Sequence, residues 1–431
     1  MTRLRSRRSS GIGGSVSQAT PSVSSVRDLI RQRDYMRFWV SRSMGGLGVQ
    51  IQSVAMGWQV YDLSRRTLDV GHASFNVSLI GLITFAPLVV LFLPAGETAD
   101  RHDRKRVMAL CYLAELIPAA VLIAAGVFGF ASVGLLLGVA VVFGTSRAFF
   151  NPSMTALGPM LVPRELLPRA IAWNSLAGQF GSIAGSAVGG ALCSVSLSAP
   201  YEVSAALYLG AVLTISSIRG PTKPAAQPGS RWALVKQGLA YVWTSKVVLG
   251  AISLDLAAVI LGGATALLPA FARDVLHVGA QGFGILRAAP TAGAAMIAFY
   301  LAAWPIRAHA GLKMFAGVAL FSVATIVFGL SRTVWLSVAS MAALGAADML
   351  SVYVRQTLVQ LVTPDPMRGR VAAVSGLFIS ASNELGEFRG GLVARFVGPI
   401  NAVVWGGVGA LMVTGLWARL FPALRTADRL E

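Results

Sequence analysis

The chain has 431 residues, of which 55% are hydrophobic and 13% charged, and its mean hydropathy is +0.67. Soluble domains carry about 25% charged residues, and a soluble fold cannot bury so much apolar surface. Composition therefore excludes an ordinary soluble protein and predicts an all-α polytopic membrane protein. The two cysteines are too few for a disulfide framework or a four-ligand metal site.

Apolar runs long enough to cross a bilayer, roughly 20 residues each, recur along the chain. Runs of this length without strict alternation form helices, because lipid offers no partner to backbone polar groups. We predict about twelve transmembrane helices, near residues 37–61, 71–95, 107–127, 131–151, 169–195, 201–218, 247–271, 283–304, 312–330, 334–355, 371–395 and 398–420.

The longest connection between these runs, residues 219–246, is rich in proline and basic residues and divides the chain into two halves. Residues 153–191 align with residues 354–392 at a constant offset of 201. Two pseudo-symmetric six-helix halves are typical of duplicated transporters, whose substrate site lies between the halves near the midplane. The predicted parts are a polar tail (1–36), a first bundle (37–218), a linker (219–246), a second bundle (247–420) and a second tail (421–431).

The net charge of +18 is distributed unevenly over the predicted loops. Most lysines and arginines outside the spans lie on the tails, the linker and alternate loops. The other loops carry four, namely Arg65, Arg66, Arg273 and Arg332. The positive-inside rule places both termini and the linker in the cytoplasm. The charge thus reflects membrane topology, and we predict no nucleic-acid partner. The first tail has no apolar core and is not a cleavable signal peptide.

The loop after the second span combines a glycine, an acid and four basic residues: Gly96, Asp100, Arg101, Arg104, Lys105 and Arg106. One interpretation is an ordinary positive cytoplasmic loop. The whole spacing, however, resembles the G-x-x-x-D-R-x-x-R-K-x loop of the major facilitator superfamily, which also lies between the second and third helices. Asp103 stands where that family usually has glycine. The resemblance implies that the loop latches the two halves together in the outward-facing state.

Further segments extend the resemblance, including residues 33–39, 58–63, 150–152, 161–165 and 268–274. Together they resemble the branch of the superfamily that includes the enterobactin exporter and macrolide-type drug efflux proteins. Many members of that branch carry an acidic residue after the first-helix glycine. Here Val49 follows Gly48, so a proton-coupling carboxylate is absent from that position.

The fifth span carries glycines at helical spacing, namely Gly181, Gly185, Gly189 and Gly190. Small residues spaced by four allow two helix backbones to approach closely, which generic helix packing also uses. The pattern resembles the G-x-x-x-G-P-x-x-G-G motif of exporters, with Ser186 in place of the proline.

Six charged residues within spans are candidate proton or charge sites: Glu115, Arg147, Asp255, Asp348, Glu384 and Glu387. Burying a lone charge in lipid costs roughly 2.5–3.5 kcal/mol, so such residues face a cavity or a partner. Glu115 and Asp255 lie nearest the centres of their spans and are the leading proton sites. A structural ion pair or a snorkelling side chain is the alternative for each. Glu384 and Glu387 are three residues apart and share a helix face, where like charges repel.

Four uncharged polar residues are candidates for the cavity lining: Gln52, Gln59, Asn174 and Gln179. Gln52 and Gln59 are seven residues apart and therefore lie on one stripe of the first helix. Hydrogen bonding between helices is the alternative role for each of the four.

No nucleotide-binding loop, histidine metal motif or serine nucleophile elbow occurs in the sequence, which predicts no enzyme, cofactor or metal site. We expect a secondary transporter in a bacterial inner membrane, working as a monomer. The resemblance implies proton-coupled export, by alternating access, of a small and largely apolar organic molecule, drug-like or siderophore-like. The alternatives are an importer or lipid transporter of the same fold, or a non-transporting membrane sensor. The short tails disfavour a sensor.

Overall fold

The computed structural model describes residues 26–223, 231–306 and 308–425, and every regular element in these ranges is helical. The predicted tails and linker lie partly outside the described residues. Twelve long helices are Arg33–Ser64 (α1), Val70–Val90 (α2), Arg104–Phe128 (α3), Val133–Leu157 (α4), Leu167–Val195 (α5), Ala199–Ser216 (α6), Lys246–Gly262 (α7), Gly279–Ala303 (α8), Ala310–Leu330 (α9), Val334–Val362 (α10), Asp365–Val397 (α11) and Pro399–Leu420 (α12).

Among the described residues, nine helices are long and apolar enough to cross a membrane, judged by length and composition alone. They include α7 together with its continuation to Val275. The remaining long helices, α1, α6 and α11, pack among them. Helices α1 and α11 are more polar than the nine, and α11 carries Glu384, Glu387 and Arg389 in its second half. The all-α polytopic fold predicted from the sequence is confirmed.

Helix boundaries follow local capping chemistry. The Asp69 carboxylate accepts a hydrogen bond from the His72 amide at the start of α2, and Ser132 caps α4 through the Leu135 amide. Gly129 and Gly398 have positive φ angles of 74° and 81° and end α3 and α11. Short connections at these glycines join α3 to α4 and α11 to α12.

Nine shorter helical segments also occur among the described residues. One of them, Arg231–Thr244, lies in the predicted linker, where the sequence interpretation included no helix. Three others continue α7 with 3₁₀, α and π geometry. The short segments are Val26–Ile30, Phe92–Arg101, Gly158–Leu161, Arg164–Leu166, Arg231–Thr244, Thr265–Leu267, Leu268–Ala270, Phe271–Val275 and Pro422–Arg425.

The last three pairs of corresponding helices in the two halves start at offsets close to the 201 residues found in the sequence. Helix α4 begins at Val133 and α10 at Val334, 201 residues later. Helices α6 and α12 begin at Ala199 and Pro399. The offset found in the sequence thus relates whole helices.

The two halves meet closely at the end of the bundle where α1 ends and α2 begins, which we call the closed end. A methyl group on Gly71 would lie 2.7 Å from the Ala394 carbonyl oxygen, so α2 and α11 touch through their backbones. Rings also cross the interface, with the centroids of Trp58 and Phe283 5.9 Å apart. The opposite end carries the central connection between the halves.

Candidate functional site: a charged cavity between the halves

A cavity of about 530 Å³ lies between the two halves. It is separated from the closed end by the contacts described above and faces the end that carries the central connection. Eight of the long helices contribute to its wall: α1, α4, α5, α7, α8, α9, α10 and α11. The wall is unusually polar for a membrane protein interior. Its polar and charged members are Gln50, Ser53, Arg147, Gln179, Ser182, Thr265, Arg287, Thr291, Asp348, Asn383, Glu384 and Glu387. A charged cavity at the interface of two repeats has the properties of a transport site.

Glu384 and Glu387 of α11 line this cavity together. Arg147 of α4 and Arg287 of α8 lie close enough to act electrostatically on both carboxyl groups. A methyl group on Gly81 of α2 would come within 2.8 Å of Glu384 Oε2, so glycine leaves room for this carboxyl group. The pair therefore faces one cation from each half.

A smaller cavity of about 210 Å³ lies within the first half, between α1, α3, α4 and α5. Arg42, Cys111, Glu115 and Arg147 contribute to its wall. Glu115 is 3% exposed, and its Oε2 has no hydrogen-bond partner among the described residues. Val49, Gln50, Arg147 and Ser182 line both cavities. The two spaces are thus neighbours that share one wall.

Asp255 of α7 lies outside both linings and forms an ion pair with Arg355 of α10. The Nη1–Oδ2 distance is 2.9 Å, and the two side chains are 7% exposed or less. Asp348 lies on the same helix as Arg355, α10, and lines the central cavity. It is close enough to the Asp255–Arg355 pair to interact with it electrostatically. Asp255 therefore has the structural ion-pair arrangement that the sequence left open as its alternative role.

Of the four uncharged candidates for the lining, the structure places Gln179 in the central cavity. Gln59 instead donates to the Leu197 carbonyl at 2.7 Å and accepts from Tyr201 at 3.0 Å, joining α1 to α6. Gln52 is fully buried outside both linings, without a partner for its amide among the described residues. Asn174 also lies outside both linings, and its backbone carbonyl accepts from Arg42.

The glycines of α5 contact two different helices. A methyl group on Gly185 would lie 2.7 Å from Gln50 Cβ of α1, and Gly189 also faces α1 through Ile51 and Val54. Gly181 lies farther from α1. Gly190 faces α8 across the interface between halves. Ser186, which replaces the proline of the exporter motif, accepts a hydrogen bond from Gln50 at 2.8 Å.

The segment predicted as a latch loop is largely helical: Gly96, Asp100 and Arg101 lie on the short helix Phe92–Arg101, and Arg104, Lys105 and Arg106 form the first turn of α3. Arg104 donates to the carbonyls of Ala99 and Ala156 at 3.0 and 3.2 Å, and lies 3.9 Å from the Asp100 carboxylate. Asp103 caps α3 and accepts from the Thr222 hydroxyl at 2.6 Å. The aspartate at the usual glycine position thus ties the loop to the connection between halves.

Two reciprocal ion pairs join the halves at the closed end. Asp62 binds Arg273 at 2.5 Å, and Arg65 binds Asp274 at 2.9 Å. The Tyr61 hydroxyl also donates to Asp274 at 2.5 Å. Hydrogen bonding to Asp274 raises the pKa of Arg65 above its ordinary value. We call these five residues the ion-pair cluster.

Sequence reasoning missed the ion-pair cluster and much of the cavity wall. A signal existed for the cluster, because Arg65 and Arg273 are two of the four basic residues on loops otherwise poor in them. No comparable signal marks Gln50, Ser53 or Thr291, since small polar residues occur throughout membrane helices.

The sequence matches known transporters over nearly its whole length. A family model described as transmembrane secretion effector, within the major facilitator superfamily, matches residues 25–431. The enterobactin exporter EntS of Citrobacter koseri is 28% identical over 396 residues, which cover 87% of this chain and 84% of the relative. EntS of Escherichia coli O157:H7 is 28% identical over 393 residues, with the same coverage.

Solved structures share the fold at lower identity. A bacterial homologue of the human lysosomal transporter Spinster, in an inward-facing unoccupied conformation, superposes with a TM-score of 0.72 at 15% identity. The match covers 92% of this chain and 99% of that one. The D-xylose–proton symporter gives 0.68 at 14% identity, covering 90% and 98%. The chain is therefore a membrane transporter that belongs to the transmembrane secretion effector family of the major facilitator superfamily.

Proposed function

We propose that this transporter exports a small organic molecule, drug-like or siderophore-like, from the cytoplasm of a bacterium in exchange for protons. The observation that carries the proposal is the charged cavity between the halves. The direction is supported by the relatives, which are described as enterobactin exporters.

The charge balance around the cavities supports proton coupling. Four arginines face five carboxyl groups: Arg42, Arg147, Arg287 and Arg355, against Glu115, Asp255, Asp348, Glu384 and Glu387. An uncompensated buried charge is costly, so this set is stabilised by one bound proton or by a cationic group of the substrate. A proton and a substrate that compete for one carboxyl group produce exchange. One proton crossing roughly 100 mV supplies about 2.3 kcal/mol.

The distribution of basic residues supports an orientation with both termini and the central connection in the cytoplasm. The described conformation is then closed toward the outside. Alternating access requires a second conformation in which the ion-pair cluster separates. Transport consists of exchange between these two states.

Everted membrane vesicles test both direction and coupling. With respiration energising the membrane, we expect vesicles containing the transporter to accumulate enterobactin or a macrolide, and a protonophore to abolish the accumulation. Vesicles without the transporter provide the control. Accumulation that survives the protonophore would contradict proton coupling. Loss of preloaded probe from the vesicles on energisation would indicate import instead.

The loop containing Asp100 gives a second prediction. If it latches the outward-facing state, Asp100→Asn reduces transport about tenfold, because that state loses a stabilising interaction of about 1.4 kcal/mol. The amount of protein in the membrane should stay unchanged. Glu97→Gln is the matched control, since Glu97 forms an exposed ion pair with Arg101 in the same loop. Equal transport by the two variants would show that the loop has no latch function.

A further inference from the structure

Arg147 of α4 occupies the wall shared by the two cavities. It lines the central cavity between the halves and also the smaller cavity inside the first half. Its guanidinium carbon lies 5.9 Å from the centre of the Phe143 ring, one turn earlier on the same helix. This aromatic contact is compatible with a guanidinium that changes its carboxylate partner.

Carboxyl groups approach Arg147 from both sides. Glu115 of α3 lines the smaller cavity in the same half as Arg147, whereas Glu384 and Glu387 of α11 line the central cavity from the opposite half. The remaining ionisable groups facing these residues or lining the same walls are Arg42, Cys111, Tyr112, Tyr208, Arg287 and Asp348. Arg147 is thus the cation common to the carboxyl groups of both cavities.

The corresponding cluster of the second half is arranged differently. There Arg355 has a fixed partner, because it binds Asp255 at 2.9 Å in a fully buried pair. The position equivalent to Arg147 at the 201-residue offset is Asp348, which has the opposite charge. The second half therefore holds its arginine in place, and the first half shares its arginine across the interface.

One guanidinium binds one carboxylate well, because its paired N–H groups match a single carboxylate in a fork geometry. The protonation states of the three carboxyl groups therefore decide where Arg147 binds. A proton on Glu384 or Glu387 weakens the attraction across the interface, and ionised Glu115 then becomes the stronger partner.

We propose that Arg147 is a positioning residue that exchanges between Glu115 and the Glu384–Glu387 pair, so that protonation of the pair turns Arg147 toward its own half. The exchange removes an electrostatic contact between α4 and α11 and so favours separation of the halves. Its role in transport rests on the proposed proton coupling, but the exchange itself is measurable without any substrate.

Thermal unfolding of the purified protein in nanodiscs tests the exchange, because the proposal predicts that the effects of the carboxyl substitutions on Tm do not add. Glu115→Gln alone and Glu384→Gln with Glu387→Gln each leave Arg147 one partner. We therefore expect a small change in Tm for Glu115→Gln, within about 2 °C, and a larger one for the α11 substitutions, because Arg287 also loses the two carboxylates that it faces. All three substitutions together leave Arg147 without a carboxylate, and should lower Tm by about 5 °C more than the sum. Asp365→Asn, an exposed acid on α11 paired with Arg368, is the matched control and should combine additively with Glu115→Gln.

A pH profile separates an exchanging cation from a merely structural one. When the pH is lowered from about 8 to about 6, the Tm of Glu115→Gln should fall relative to that of the wild type, because protons then remove the only partner that Arg147 retains. Arg147→Lys should keep part of the non-additivity, because lysine retains the charge and loses the paired N–H groups. The Glu115→Gln, Arg147→Gln double variant should remove the non-additivity while avoiding an unpaired buried charge.

Additive effects of Glu115→Gln and the α11 substitutions, or identical pH profiles for Glu115→Gln and the wild type, would overturn the proposal. Persistence of the non-additivity without Arg147 would also overturn it. None of these measurements depends on a transported molecule. Failure of the vesicle experiment would therefore contradict the proposed export and leave the exchange standing.

Discussion

Arg273→Asp is expected to lower transport at least about tenfold, because it places a second carboxylate beside Asp62 at the closed end. The native contact is a 2.5 Å ion pair between the halves, parallel to the 2.9 Å pair of Arg65 and Asp274. Repulsion between like charges would shift the population toward a state open at this end. A change of about 1.4 kcal/mol shifts a conformational equilibrium tenfold.

The charge-swapped double variant, Asp62→Arg with Arg273→Asp, should recover a substantial part of the activity. Recovery will be incomplete, because Arg66 lies 3.3 Å from the Asp62 carboxylate and would then face another arginine. A purely structural defect would not be repaired by the swap. Equal transport by the single and double variants would contradict a role for the ion pair in closure.

Chemical labelling reports the same change directly. In a protein carrying Cys111→Ser and Cys193→Ser, the thiol introduced by Thr291→Cys lies in the central cavity. A membrane-impermeant maleimide added outside intact cells should label it slowly in the otherwise native protein. We expect labelling at least about threefold faster with Arg273→Asp, and a return toward the slower rate with the swap.

The helices were predictable because each spans a long apolar run, and the energetic demand for satisfied backbone hydrogen bonds is strongest in lipid. One exception was Arg231–Thr244, which lies in a polar connection and lacks an apolar run of membrane-crossing length. Its neighbours on the chain, three prolines and several basic residues, indicate a linker more strongly than a helix.

The candidate site was predictable where charge in an apolar helix marks it. Arg147, Asp348, Glu384 and Glu387 all line the central cavity, and Glu115 lines the smaller one. Whether such a residue faces a cavity or a fixed partner depends on helix rotation and on distant helices. The Asp255–Arg355 pair shows this limit, since its members are 100 positions apart and nothing in the sequence joins them.

The ion-pair cluster illustrates the same limit at longer range. Asp62 and Arg273 are separated by 211 positions, and nothing in the sequence pairs one with the other. Arg65 and Arg273 were visible as exceptions to the positive-inside distribution, yet the distribution itself gives no reason for their presence. Their reciprocal pairing supplies one, because both arginines bind carboxylates of the opposite half.

The backbones of α5 and α8 touch across the interface between the halves, and this contact predicts which glycines cannot be replaced by alanine without separating the halves. A methyl group on Gly190 would lie 2.6 Å from the Ala280 carbonyl oxygen, and one on Gly284 would lie 2.6 Å from the Ser186 carbonyl oxygen. These obstacles are backbone atoms, which cannot rotate away as a side chain can. Gly190→Ala combined with Gly284→Ala must therefore push the halves apart at the closed end.

We expect this double variant to insert and fold, since the contacts within each half are unaffected, but to lose at least about tenfold in transport. Thr291→Cys labelling from outside should accelerate as it does with Arg273→Asp. Gly134→Ala and Gly138→Ala on α4 are matched controls, because nothing within 4 Å opposes a methyl group there. Exchanging glycine for alanine in an unobstructed helix stabilises it by up to about 1 kcal/mol.

Gly185→Ala completes the comparison, because its obstacle is Gln50 Cβ within the same half at 2.7 Å. It should lower the Tm of the protein without accelerating Thr291→Cys labelling, since it strains packing between α5 and α1 and leaves the interface between halves in place. Faster labelling by Gly185→Ala, or unchanged labelling by the Gly190 and Gly284 pair, would contradict the assignment of α5–α8 contact to closure. The two kinds of variant should differ because Gly185 faces α1 in the same half, whereas Gly190 on the same helix faces α8 in the other half.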